Sequence, residues 1–107
     1  MTPHEASQQT EALCRLAPVI PVLIVSDVAH ARRLAEALVR GGLPALEVTL
    51  RTPCALEAIA EMSAVEGGVV GAGTLLTAAD VSAAKRAGAL FGVSPGATPA
   101  LLDACVA

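Results

Sequence analysis

Tyrosine and tryptophan are absent from this chain, and one phenylalanine is its only aromatic residue. Stacking platforms for nucleobases are therefore missing. A formal charge of −3 leaves no basic footprint for a phosphate backbone. Both absences argue against a nucleic-acid partner. Cysteine is sparse too: Cys14, Cys54 and Cys105 are odd in number, far apart and without a C-x-x-C spacing. That excludes a disulfide framework and suits small hydrophobes in a reducing cytoplasm. The two histidines, His4 and His30, lie in polar helical contexts without metal-ligand spacing, so no metal site is expected. The opening "MTPHEASQQT" lacks the positive charge and apolar core of a signal peptide. The longest apolar run, "LAPVIPVLIV", is about half a membrane span and holds two prolines. A soluble, cytoplasmic protein without membrane contact is expected.

What the chain does have is aliphatic bulk. Of its 107 residues 54% are hydrophobic and only 16% charged, which is apolar for so small a globule. The length suits one domain, residues 1–107. Within it a unit repeats: an apolar run, a cap, an amphipathic helix, then small residues. The first run is 19–25, "VIPVLIV", after which Asp27 can cap a helix over 28–40 that Gly41-Gly42 ends. The second run, 45–51, precedes Thr52-Pro53, read as a cap with proline at the first helical position. The third, 69–76, leads to Thr77 and Asp80, which resemble a capping box, and to a helix ending at Gly88. The fourth, 90–95, leads to Thr98-Pro99 and a last helix. An extra helix, about 3–16, precedes them all.

Four strand–helix alternations predict right-handed crossovers and a parallel sheet. A doubly wound sheet would need strands apolar on both faces. A (β/α)8 TIM barrel instead encloses a lumen whose C-terminal mouth tolerates polar groups. "LEVTLRT" favours the barrel, because period two puts Glu47, Thr49 and Arg51 on one face and Leu46, Val48 and Leu50 on the other. A complete barrel takes about 250 residues. The chain is therefore read as half a barrel with two unpaired edges.

On that reading Glu47 and Arg51 point inward. Either they pair with each other, or Arg51 clamps a carboxylate or phosphate while Glu47 serves as a general acid/base tuned by enclosure. Gly71 and Gly73 in "GAGT" clear lumen space or admit a ligand close to the backbone, and Thr74 presents a hydroxyl at the strand's end; an ordinary glycine-rich turn explains the same letters. The G-x-G-x-x-G spacing is missing, so no dinucleotide cofactor is indicated. Ser94-Pro95-Gly96 reads equally as a ligand contact or as a loop start.

In order and spacing, "PVIPVLIV", "GGLPALEVTLRTPCALEAI", "VVGAGTLLT" and "GALFGVSPG" resemble the 2-keto-3-deoxy-6-phosphogluconate (KDPG) / 4-hydroxy-2-oxoglutarate (KHG) aldolase family, over nearly the whole chain beyond the first helix. The resemblance implies a class I, Schiff-base aldolase of the Entner–Doudoroff pathway, a cofactor-free and commonly homotrimeric TIM barrel. It would split a small keto-acid substrate into pyruvate and an aldehyde. It further implies Glu47 as the acid/base residue, Arg51 and Thr74 as binders of the pyruvyl carboxylate, and Ser94 with Pro95 beside the site. The family's Schiff-base lysine lies on a later strand. Lys85, the only lysine here, sits on the polar face of its helix and is expected to be solvated. The chain by itself is therefore expected to be inactive. Two rivals stay open: another barrel enzyme on a phosphorylated or keto-acid substrate, and a non-catalytic half-barrel that self-associates through its edges.

Overall fold

The computed structural model describes residues 1–107. Four parallel strands, β1 (Val22–Leu23), β2 (Ala45–Thr49), β3 (Val69–Gly73) and β4 (Phe91–Val93), pair in the order β1-β2-β3-β4. Helix α1 (Pro3–Cys14) precedes them. Helices α2 (Ala31–Arg40), α3 (Ala55–Ser63), α4 (Ala78–Ala87) and α5 (Pro99–Val106) each follow a strand. Consecutive strands are neighbours throughout, so the sheet is wound in one direction, as one arc of a (β/α)8 barrel. No helix is long and apolar enough to cross a membrane.

The helices start and stop largely where local chemistry dictates. Thr2 and Glu5 form a reciprocal capping box on α1. The Asp27 side chain accepts from the Ala29 amide and starts a short 3-10 turn, Val28–His30, that leads into α2. Thr77 and Asp80 form the second capping box, and Gly88 ends α4 with φ +111°, where an L side chain would be strained. Thr98 caps α5, with proline in its first turn.

Several expected boundaries move. The first helix ends at Cys14 rather than 16. The runs 19–25, 69–76 and 90–95 shrink to two, five and three strand residues. β1 and β4 are sheet edges with one partner each, and Pro18 and Pro21 lack amide donors. β2 stops at Thr49, so Leu50 and Arg51 already lie in a turn. The largest correction concerns Thr52-Pro53. α3 begins at Ala55, without a side-chain cap. The Thr52 hydroxyl donates instead to the Val25 carbonyl at 2.7 Å, and the Cys54 thiol points to the same oxygen at 3.2 Å. A bond spanning 27 residues displaced the local cap.

One face of the sheet carries the core. Leu46 and Val48 of β2 with Val70 and Ala72 of β3 are shielded by Ala31, Ala35, Ala58, Ile59, Met62, Val81, Ala84 and Leu101 from the helices. Ile59 and Met62 are wholly buried, each contributing roughly 1.5–3 kcal/mol of hydrophobic stabilisation. The small alanines let the helices approach the sheet closely. Because β2 has a strand on either side, all five of its residues are buried, including those facing away from the helices.

Candidate active site

The face opposite the helices carries the polar residues. Register aligns Val22, Glu47, Gly71 and Phe91 in one row across the sheet, and Thr49, Gly73 and Val93 in the next row toward the C-terminal ends. Side chains so aligned in a parallel sheet share a face, and this one lines the concave side of a barrel arc.

Glu47 is 8% exposed. Its carboxyl lies over the Gly73 backbone: a Cβ at Gly73 would overlap Oε1 and stand 3.0 Å from Cδ. At Gly71 a Cβ would collide with the Phe91 ring. The glycines of "GAGT" thus clear space, but the protein's own Glu47 and Phe91 fill it, which corrects the expectation of space kept open for a ligand. Phe91 is not singled out by sequence reasoning because a lone aromatic on a short run looks like ordinary core. The available signal is the glycine two positions after Val69, whose missing side chain has to be matched by bulk on a neighbouring strand.

Burial removes water from the Glu47 carboxylate, and that desolvation raises its pKa above the ordinary value of 4.5. No cation offsets the effect. The three ion pairs of the chain, Arg15–Glu11, His30–Asp27 and Arg32–Glu61, all lie elsewhere and are solvent-exposed. An internal Glu47–Arg51 pair is therefore not formed. Arg51 is exposed in the turn after β2, with its guanidinium unpaired, and its direction is set by that turn rather than by strand alternation.

Thr74 and Ser94 follow Gly73 and Val93 by one residue at the C-terminal edge, and both are exposed. The Ser94 hydroxyl is engaged locally, donating to the Gly96 carbonyl at 2.6 Å, and Pro95 is exposed beside it. Deeper in, Thr49 is buried, and its Oγ1 has no hydrogen-bond partner within the chain. Lys85 is remote from all of these. It lies exposed on α4, and its Nζ donates to the carbonyls of Ala104 and Ala107 at 2.8 Å each, tying α4 to the end of α5 on the helical side. No cluster of three or more His, Cys, Asp or Glu side chains forms.

The arrangement places a buried carboxyl on the face of the sheet opposite the helices. The Arg51 guanidinium and the Thr74 and Ser94 hydroxyls are exposed beyond the C-terminal ends of β2, β3 and β4. Such a set offers a cation and hydroxyls to a small anion and a carboxyl that can move protons.

Comparison with known proteins gives these residues their context. The family model described as KDPG and KHG aldolase matches residues 10–107. The 2-dehydro-3-deoxy-phosphogluconate aldolase of Zymomonas mobilis is 60% identical over 88 residues, which are 82% of this chain and 42% of that protein. A crystal structure of the Zymomonas mobilis 2-keto-3-deoxy-6-phosphogluconate aldolase with 3-phosphoglycerate superposes with a TM-score of 0.88 at 56% identity, covering 92% of this chain and 47% of the other. The Legionella pneumophila KDPG aldolase, captured with pyruvate as a covalent carbinolamine, superposes at 0.80 with 42% identity, covering 87% and 46%. The chain thus spans less than half the length of the relatives it matches. With four strand–helix units of a (β/α)8 barrel that match the family's model over residues 10–107, the chain belongs to the KDPG and KHG aldolase family, a family of lyases.

Proposed function

We propose that residues 1–107 form the N-terminal half of the single barrel domain of a class I aldolase, which cleaves 2-keto-3-deoxy-6-phosphogluconate to pyruvate and glyceraldehyde 3-phosphate, 4-hydroxy-2-oxoglutarate to pyruvate and glyoxylate, or both. The observation that carries this reading is the buried, cation-free carboxyl of Glu47 seated over Gly73, on the strand whose following turn carries the unpaired guanidinium of Arg51. The carbinolamine of the Legionella pneumophila relative supports covalent pyruvate chemistry.

In the proposed reaction a lysine from outside residues 1–107 forms an imine with the substrate's keto carbon. Breaking C3–C4 sends its electron pair into the imine and leaves an enamine, while the C4 hydroxyl loses its proton as the aldehyde forms. C3 then takes up a proton, and water releases pyruvate. Glu47 is the group that accepts and returns these protons. Arg51 holds the carboxylate bidentately, helped by the Thr74 hydroxyl. Ser94 and Pro95 shape the wall beside it. Lys85 takes no part, because it is exposed on α4 with its Nζ bonded to the carbonyls of Ala104 and Ala107 on the helical side. The 107-residue chain alone is therefore inactive, and the whole protein works in the cytoplasm as a homotrimer, without a cofactor, in the Entner–Doudoroff pathway.

The test is intact-mass measurement of the full-length protein after pyruvate and borohydride, beside a cleavage assay. Gain of one reduced pyruvyl group, retained in Lys85→Ala, is the expected result. No adduct with either keto acid, despite turnover, would replace this reading by a barrel enzyme without imine chemistry.

A further inference from the structure

Glu47 stands on a crowded face that offers its carboxyl few places. Its registered neighbours are Val22 on β1 and Gly71 on β3, and one row back stand Ala45 and Val69. One row forward are Thr49 on its own strand and Gly73 on β3. Val22, Ala45, Thr49 and Val69 fill their places with their own side chains. Gly71 and Gly73 leave theirs bare. Two sites on β3 are therefore open to the carboxyl: one directly beside it, and one diagonally toward the C-terminal ends of the strands.

Phe91 takes the first of these. It pairs with Gly71 from the far side, and three atoms of its ring lie within 2.5 Å of the place where a Gly71 Cβ would stand. That place is about one strand spacing, 4.8 Å, from the root of the Glu47 side chain. A space filled by a ring admits no second group. The carboxyl is found at the other site, with Oε1 where a Gly73 Cβ would be. The ring does not serve the helix-covered core either. Phe91 is half-buried and lies on the opposite side of the sheet from that core.

We infer that Phe91 is a positioning residue for the proposed reaction: its ring fills the space over Gly71 and so holds the Glu47 carboxyl forward over Gly73, at the end of the sheet where Arg51 and Thr74 lie. The inference rests on the aldolase reading and extends it to a residue without a role there. Phe91 exchanges no proton; it acts through Glu47. With the ring removed, the carboxyl gains the site beside its own strand and leaves, for part of the time, the position from which it serves the reacting carbons.

The experiment measures aldol cleavage by the full-length protein and its variants, beside crystal structures of parent and variant. Phe91→Ala is expected to lower kcat at least about tenfold, since misplacing a reacting group by about 1 Å costs on the order of 10²-fold. KM is expected to stay near the parent's, because the groups that bind substrate are untouched. In the Phe91→Ala crystal structure the Glu47 carboxyl is expected over Gly71, a change that mere loss of packing would not produce. Phe91→Leu, which refills most of the space, is expected to recover most of the rate. Phe91→Val carries the same comparison if Phe91→Ala does not fold. Parental kcat in Phe91→Ala, a carboxyl that stays over Gly73 alone, or Phe91→Leu no faster than Phe91→Ala overturns the role of Phe91 while leaving the aldolase reading intact. A parent protein that neither cleaves a keto acid nor traps pyruvate with borohydride overturns both.

Discussion

Adding one methyl group at Gly73 separates catalysis from folding. A Cβ there overlaps Oε1 of Glu47, stands 3.0 Å from Cδ, and meets Val93 Cβ at an ordinary 3.4 Å. The obstruction is therefore the far end of one flexible side chain. Glu47 can yield by leaving its preferred rotamer, at a cost of about 0.5–1.5 kcal/mol. Replacing glycine by alanine within a strand returns about 0.5–1 kcal/mol of backbone entropy. The two nearly cancel, so Gly73→Ala is expected to keep its urea midpoint close to the parent's. Activity responds differently, because displacing a reacting group by about 1 Å costs on the order of 10²-fold. Gly71→Ala is the control. Its Cβ meets three atoms of the Phe91 ring at once, and overpacking of about 1–3 kcal/mol exceeds the entropy gain. The assay measures cleavage kcat/KM and urea unfolding of both full-length variants. A Gly73→Ala enzyme within about threefold of parental kcat/KM would refute the reasoning, since the carboxyl position would then be irrelevant to turnover.

The remaining predictions concern charge, core and surface. Glu47→Gln is expected to abolish cleavage while stabilising the fold at pH 7. Burial raises the folded pKa, so the ionised carboxylate destabilises the native state. That penalty is absent below the ordinary value of 4.5, where both states are protonated, and grows as pH rises from there toward the folded pKa; thermal midpoints at pH 4 and pH 7 check the sign. Ile59→Ala removes a wholly buried side chain and should cost roughly 2–5 kcal/mol by urea denaturation. Thr52→Val removes the bond to the Val25 carbonyl and should cost about 0.5–1.5 kcal/mol, detectable in the same experiment. Lys85→Ala loses two exposed bonds to the end of α5 and should change stability by less than about 1 kcal/mol, leaving the pyruvate adduct in place.

How much of this was legible in the sequence follows from how far each determining contact reaches. The capping boxes at Thr2/Glu5 and Thr77/Asp80 and the left-handed Gly88 are set by residues within one helical turn. Local reasoning found the second box and the glycine, and the four strand–helix units with them. It failed at Thr52, whose partner is the carbonyl of Val25. It also extended β1, because pairing across an edge, not hydropathy, ends a strand.

The candidate site divides along the same line. Sequence by itself determined that Glu47 and Thr49 share a face of a strand, that Gly71 and Gly73 are bare, and that Lys85 lies on a polar helical face. Period two, period 3.6 and composition suffice for those statements, because each concerns one element. Only the tertiary structure decided that Glu47 covers Gly73, that Phe91 covers Gly71, that Arg51 stands unpaired in a turn, and that the Thr49 hydroxyl is buried without a partner. Those facts depend on which strands adjoin and in what register, and register is fixed by the packing of the whole sheet rather than by any single segment.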